Sequence, residues 1–248
     1  LILHLRLLLN SQWKVLTLLQ RLANIAVKKH NESFGIKKQI EIISNFVDTE
    51  KFRPDQDKCN RSEFASKDEK IIAHMSNYRP VKNTHDVIRI FEIINKKIPS
   101  KLVLIGDGPD APNILALAAS MDLKDRVIFL GGQDSVESVL CKADLFLLPS
   151  ASEAFGLAAL EALACGVPVV GSIVGGLPEL VKDGENGYLE TIEDFEAMAE
   201  KSIKILMNDE LQQKMSESAR KLAVEKYETK NIIKKYYSFY EKVLSNGR

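Results

Sequence analysis

The sequence predicts an α/β fold in which helices wind over both faces of one parallel sheet. Three observations point there. Between residues 71 and 189, short apolar runs alternate with stretches of helical length and charge. The runs are continuously apolar, as in strands covered on both faces, instead of alternating with polar residues as half-exposed strands do. Eleven of the thirteen glycines lie between Gly106 and Gly187, many directly after such a run, where strand-to-helix turns belong. The expected architecture is a Rossmann-like, doubly wound parallel sheet with C-terminal helices.

Taken in order, the chain first spaces Val15, Leu18, Leu19, Leu22 and Ala26 as one helical stripe. IEII at 40–43 reads as a strand, and 48–70 as a polar linker. The sheet proper then consists of IIAHM (71–75), LVLI (102–105), VIFL (127–130), LFLL (145–148) and VPVV (167–170). Segments 85–97, 111–121, 135–142 and 157–165 read as the helices between them. From Tyr188 to Asn246 there is neither Gly nor Pro, and that segment reads as helix throughout, in two or three helices. In its last part Ile233, Tyr236, Tyr237, Tyr240 and Leu244 share a face, expected to be a core stripe, with docking on a second domain as the alternative.

Composition narrows the function. A chain of 248 residues, 45% hydrophobic and 27% charged with mean hydropathy −0.10, supports a real core and excludes wholesale disorder. Lys+Arg and Asp+Glu both number 34, so no overall basic field invites nucleic acid. The balance hides an asymmetry: residues 1–40 carry seven basic side chains and one acid, Glu32, leaving an acidic excess beyond. The opening LILHLRLLLN is interrupted by His4 and Arg6 and falls short of the ~20 apolar residues of a spanning helix. It also lacks a signal-peptide cleavage pattern. A first residue of Leu reads as a piece of something longer. Cys59, Cys141 and Cys165 are far apart, with no CxxC pair and no nearby His cluster. That reads as no disulfide scaffold and no zinc site, in a reducing, cytoplasmic setting.

In open parallel sheets ligands bind beyond the carboxyl ends of the strands. The unusual clusters of this sequence all fall at such ends. Gly106-Asp107-Gly108-Pro109-Asp110-Ala111 matches the G-x-G-x-x-A dinucleotide fingerprint, with Asp134 as the ribose acid. Against a dehydrogenase, a strand precedes the unit and Pro109 removes an amide that would face a pyrophosphate. Glu153 and Glu161 flank Phe155-Gly156-Leu157; Glu161 stands in a run otherwise of Leu, Ala and Cys and needs a partner there. Two vicinal ribose hydroxyls would supply one, and the free amides of a helix start suit a phosphate. Arg79 and Lys82, in the loop after IIAHM, would meet a diphosphate, Arg as a bidentate fork and Lys as a point charge. The bland alternatives are two solvated glutamates and two solvated loop cations.

HMSNYRPVK, GDGP, EAFGLAALEALACGVPVV and GGLPELVKDGENGYL together resemble the GT-B-fold, family-4 retaining glycosyltransferases, from about Ile40 to the C-terminus. Within the family, 74–79 looks closer to the form of the N-acetylglucosaminyl-malate synthase branch of bacillithiol biosynthesis than to the commoner G-R-L form. The resemblance implies a diphosphate held by Arg79 and Lys82, ribose bound by Glu161 and sugar hydroxyls by Glu153. It implies backbone contacts at Phe155, Gly156 and Leu157, donor contacts at Ser76, Asn77, Gly106 and Gly108, and Gln133, in the loop 131–134, near the uracil. The donor implied is UDP-N-acetylglucosamine, the acceptor L-malate, with no cofactor and no metal; Asp55-Gln56-Asp57 has a DxD pattern but sits in the linker. It further divides the chain into an acceptor-domain remnant (1–45), a nucleotide-sugar domain (46–228) and a C-terminal helix (229–248).

Three alternatives stay open at this point. They are a family-4 enzyme with a lipid or glycan acceptor, a catalytically silent nucleotide-sugar-binding fragment, and the dehydrogenase. Residues 1–40 leave peripheral membrane contact open, and the oligomeric state is open too.

Overall fold

Six parallel strands form one sheet in the order β3-β2-β1-β4-β5-β6, in a computed structural model that describes residues 42–54 and 59–245. The strands are β1 (Lys70–Met75), β2 (Ser100–Ile105), β3 (Val127–Gly131), β4 (Leu145–Leu148), β5 (Val169–Ser172) and β6 (Gly187–Glu190). Between them lie α1 (Thr84–Asn95), α2 (Ala111–Ser120), α3 (Glu137–Leu140), α4 (Leu157–Ala164) and α5 (Leu177–Leu180). The chain closes with α6 (Phe195–Leu206), α7 (Asp209–Tyr227) and α8 (Thr229–Ser245).

The continuous apolar runs do what two-sided burial requires. Along β1, Ile71 and Ala73 enter one core and Ile72 the other; along β4, Phe146 and Leu148 oppose Leu145 and Leu147. Successive side chains of a strand point to opposite faces, so only a run without polar interruptions can fill both cores. α4 and α7 cover the first face, α1, α2 and α6 the second. β1 and β4 are neighbours, yet the chain leaves β1 toward β2 and β4 toward β5. Their loops therefore part above the sheet, opening a crevice at the point where the winding reverses.

Five sequence readings need correction. The helical reading from Tyr188 onward passes over β6, an edge strand with a single partner, β5. The two or three helices expected there are three, α6, α7 and α8, and Asn208 caps α7 by accepting from the Leu211 amide. The terminal stripe is no core stripe, since Tyr237 and Leu244 are 67% and 70% exposed. Ile232 and Phe239, two turns apart on α8, are packed against Ile43, and of the predicted stripe Tyr236 packs beside them. Residues 42–43 of the expected strand IEII lie in no strand, and 40–41 fall outside the described residues. The polar linker 48–70 also carries buried residues, Thr49, Phe52 and Ala65, and just before it Val47 exchanges backbone hydrogen bonds with Tyr227 and Thr229.

The fifth correction concerns sulfur. Cys59 and Cys141 form a disulfide with their Cα atoms 5.6 Å apart, although 82 positions separate them in sequence. The winding carries the linker beneath α3, where Arg61 also donates to Lys142 O and the Asp144 carboxylate. Cys165 is free and buried. The stripe at 15–26, the rest of the acceptor-domain remnant up to residue 41 and Asp55-Gln56-Asp57 lie outside the described residues. No described helix is long and apolar enough to cross a membrane.

Candidate functional site

The crevice between β1 and β4 is walled by the loop 76–83 on one side and 149–156 on the other. A backbone bond from the Ala151 amide to Val81 O (2.9 Å) ties the two walls together. Lys82 and Glu153 meet across it: Lys82 Nζ donates to Glu153 Oε1 at 2.5 Å, with both side chains at most 20% exposed. The buried Ser150 hydroxyl donates to the same oxygen at 3.0 Å. Arg79 is exposed at the rim of this wall, and among the described residues no carboxylate pairs with it.

The loop that carries Arg79 is held by its neighbours. Tyr78 has a left-handed backbone (φ 38°) and a fully buried ring. Its hydroxyl donates to Ile105 O at 3.1 Å, and its carbonyl accepts from the Asp110 amide at 3.0 Å. Gly106 and Gly108 face that loop from behind: a Cβ on them would lie 2.0 Å from Ser76 O and 1.9 Å from Asn77 O. So GDGP is glycine-rich because two backbones touch there. Its strand is β2, not the first of the winding, and these glycines are occupied against loop 76–78.

Gly156 opens α4 with φ 94° and no side-chain cap, which leaves the first-turn amides without a side-chain partner. On its other side, a Cβ would meet Leu177 Cδ2 at 2.6 Å, so this glycine also admits α5. Phe155 turns its ring into the core, edge-on to Tyr227 at 5.7 Å, which leaves its backbone for the crevice. Leu157 is 48% exposed at the helix start. Ser76 faces inward, hydrogen-bonded to His74 and to the Tyr78 amide, while Asn77 is exposed.

Glu161 sits one turn into α4, half-buried. Burial pushes its carboxyl up to about 7; Lys51 pulls it down and Glu137 pushes it further up. Lys51 and Glu137 are themselves an ion pair at 3.5 Å. Nothing in the sequence singled out either residue, because Lys51 lies in the linker and Glu137 on a short helix ordinary in charge. Gln133 stands in the loop after the edge strand β3, exposed and donating to Leu130 O at 2.7 Å. The structure thus brings Ser76, Asn77, Arg79, Lys82, Glu153, Phe155, Gly156 and Leu157 to the two walls, sets Glu161 behind one of them, and leaves Gln133 on the outer loop.

Residues 55–222 match the family described as glycosyl transferases group 1. The chain is 40% identical over 223 residues to N-acetyl-alpha-D-glucosaminyl L-malate synthase of Bacillus anthracis, a match covering 90% of this chain and 58% of that one. It is 38% identical over 160 residues to D-inositol 3-phosphate glycosyltransferase of Mycobacteroides abscessus, covering 61% of this chain and 35% of the other. Among solved structures, sucrose-phosphate synthase from Thermosynechococcus elongatus superposes with a TM-score of 0.82 at 23% identity, over 91% of this chain and 58% of that one. Anabaena HepE in complex with UDP and glucose gives a TM-score of 0.82 at 21% identity, over 90% and 62% respectively. At those identities the two structures speak to the fold. The chain spans less than two thirds of the length of each of these four proteins.

Proposed function

Because the chain belongs to the group 1 glycosyl transferases, we propose that it carries the donor site of a retaining enzyme that transfers N-acetylglucosamine from UDP to L-malate. One observation carries the reading: a cation and a carboxylate, Lys82 and Glu153, are locked together across the crevice. Beside them stand an unpaired guanidinium and an uncapped helix start. The departing group of such a reaction is UDP, and the charge it gains is what a site must stabilise. Arg79, Lys82 and the amides of α4 are positive groups fixed in place beforehand, so they need no reorganisation as charge develops. Glu153, already oriented by Ser150 and Lys82, would accept from hydroxyls of the sugar, and Glu161 from those of the ribose. The identity to the malate synthase and the form of 74–79 support this donor and acceptor.

Charge neutralisation is assigned to these side chains, with no metal ion and no cofactor. Calorimetric titration with UDP, UDP-N-acetylglucosamine and NAD, with and without EDTA, tests the assignment. Binding of both uridine nucleotides, unchanged by EDTA and tighter than NAD, is expected; tighter NAD binding refutes it. Release of UDP on adding L-malate tests transfer, and binding without release would reassign the chain to donor binding alone. A cytoplasmic setting belongs to the same proposal. Recovery of the chain in the cytoplasmic fraction of its cells would support it, and recovery outside the cell membrane would count against it.

A further inference from the structure

His74 is the one buried imidazole among the described residues, and neither wall of the crevice contains it. It sits near the end of β1 and bonds at both nitrogens: Nδ1 to Leu147 O at 2.8 Å, Nε2 to Ser76 Oγ at 2.9 Å. A carbonyl oxygen only accepts, so Nδ1 carries the proton. Complete burial, opposed by the bond to Leu147 and reinforced by Lys82, pushes the ring down to about 4, which keeps it neutral. Nε2 is then a lone-pair acceptor, and the Ser76 hydroxyl must donate to it. With its proton so directed, Ser76 Oγ presents a lone pair to the Tyr78 amide, 3.3 Å away. The chain of bonds has a single direction, from the Tyr78 amide to Ser76, His74 and the β4 backbone.

Its end-point is the place where the loop is under strain. Tyr78 is neither Gly nor Asn, yet its φ is 38°, and such conformations persist where surrounding structure over-determines them. This turn sends the Tyr78 ring inward, edge-on to His74 at 6.1 Å and against Phe129, while the next residue, Arg79, emerges at the rim.

We infer that the His74–Ser76 pair is a positioning device: it locks the left-handed turn at Tyr78 and so aims Arg79 at the diphosphate of the donor. The inference rests on the donor-site reading above and gives Ser76 a role without direct contact to the ligand. His74 spans the point where the winding reverses, since its own strand is β1 and its acceptor belongs to β4. The two walls are thereby keyed to each other from below as well as by the Ala151–Val81 bond.

The test compares dissociation constants for UDP and uridine, measured by calorimetry on the full chain. Ser76→Ala is expected to weaken UDP about tenfold, leave uridine within about twofold, and be rescued by Ser76→Thr, which keeps the hydroxyl. In an Arg79→Ala background, Ser76→Ala should have no further effect on UDP, because the group it positions is gone. An additive loss in that background overturns the inference, for it would mean that Ser76 touches the diphosphate itself. An equal loss for uridine and UDP also overturns it, as would unchanged UDP affinity in Ser76→Ala. His74→Asn, which preserves the donor toward Leu147 but not the acceptor toward Ser76, should reproduce Ser76→Ala and add nothing to it. If it does not fold, the Ser76 series decides alone. A wild-type chain that fails to prefer UDP over uridine refutes the donor-site reading and this inference with it. A wild-type preference that Ser76→Ala leaves intact refutes only the inference.

Discussion

The loop after β1 and the loop after β3 both follow an apolar strand, and in sequence they look alike in their polar and turn-forming residues. In the structure they differ. The first is pressed from behind by Gly106 and Gly108, anchored by the Tyr78 hydroxyl and joined to the β4 loop, so that Arg79 and Lys82 hang from a fixed frame. The second has open space around Gly131 and Gly132, and Gln133 bonds back to its own strand. Loops at the winding reversal support each other; a loop at the sheet edge has only itself. The contrast explains why charge chemistry gathers at one place while a purely local loop sits at the other.

The strongest way to break this comparison is through the glycines. Gly175 carries the β5 loop against the Glu153 backbone, with φ 51° and only 1.5 Å between a built Cβ and Glu153 O. Gly175→Ala is expected to cost at least about 3 kcal/mol of stability in denaturant unfolding, since backbone must move. Gly132→Ala, on the open loop, should stay within about 0.5 kcal/mol. Equal costs would mean that the two regions are equally constrained.

Next in size is the cation at the rim. Arg79→Ala should weaken UDP by about 2 kcal/mol while sparing uridine, the scale of a charged hydrogen bond to phosphate. Equal losses would deny it a diphosphate role. Glu161→Gln should weaken UDP and uridine alike, by about 1–2 kcal/mol, because the ribose is common to both. Calorimetry with both ligands separates the two outcomes, and unchanged affinity would leave Glu161 a purely structural carboxyl.

The smallest effect is a pH dependence in which two buried groups near the winding reversal oppose each other. Glu161, on α4 and near Glu137, holds a proton in the native state up to about 7 that the unfolded chain releases near 4.5. Its contribution therefore makes stability fall as pH rises from about 4.5 to 7. His74, on the β1 side, refuses until about 4 a proton that the unfolded chain takes up near 6.5. Its contribution makes stability fall as pH drops from about 6.5 to 4. Each is limited to about 1.4 kcal/mol per pH unit, and between about 4.5 and 6.5 they largely offset. Thermal melts from pH 4 to 8 should show Glu161→Gln steepening the acid-side loss and His74→Asn reversing the slope; parallel profiles for both variants would contradict these assignments.

Five of the six strands were legible from a continuous apolar run, which fills both cores in β1, β2, β4 and β5 and which β3, half-buried along its length, carries as well. β6 was not, since Gly187-Tyr188-Leu189-Glu190 has one partner and only its first two residues buried. The candidate residues were legible as types of chemistry at strand ends: cations, carboxylates and a glycine at a helix start. Their neighbours were not. The Cys59–Cys141 pair, the Lys51–Glu137 couple beside Glu161 and the two bonds of His74 each join segments far apart in sequence.

By itself, the order of residues determined which segments are strands, which faces they bury and which strand ends bear reactive groups, since hydrophobic periodicity and glycine placement act locally. Only the tertiary arrangement decided which ends become neighbours. The winding order 3-2-1-4-5-6 brings residues 82 and 153 within one ion pair and sends 133 to the rim. It also turns the GDGP glycines toward a neighbouring backbone. Proximity across a sheet depends on how strands are ordered, and that order is set by the packing of both cores at once, which no short stretch of sequence contains.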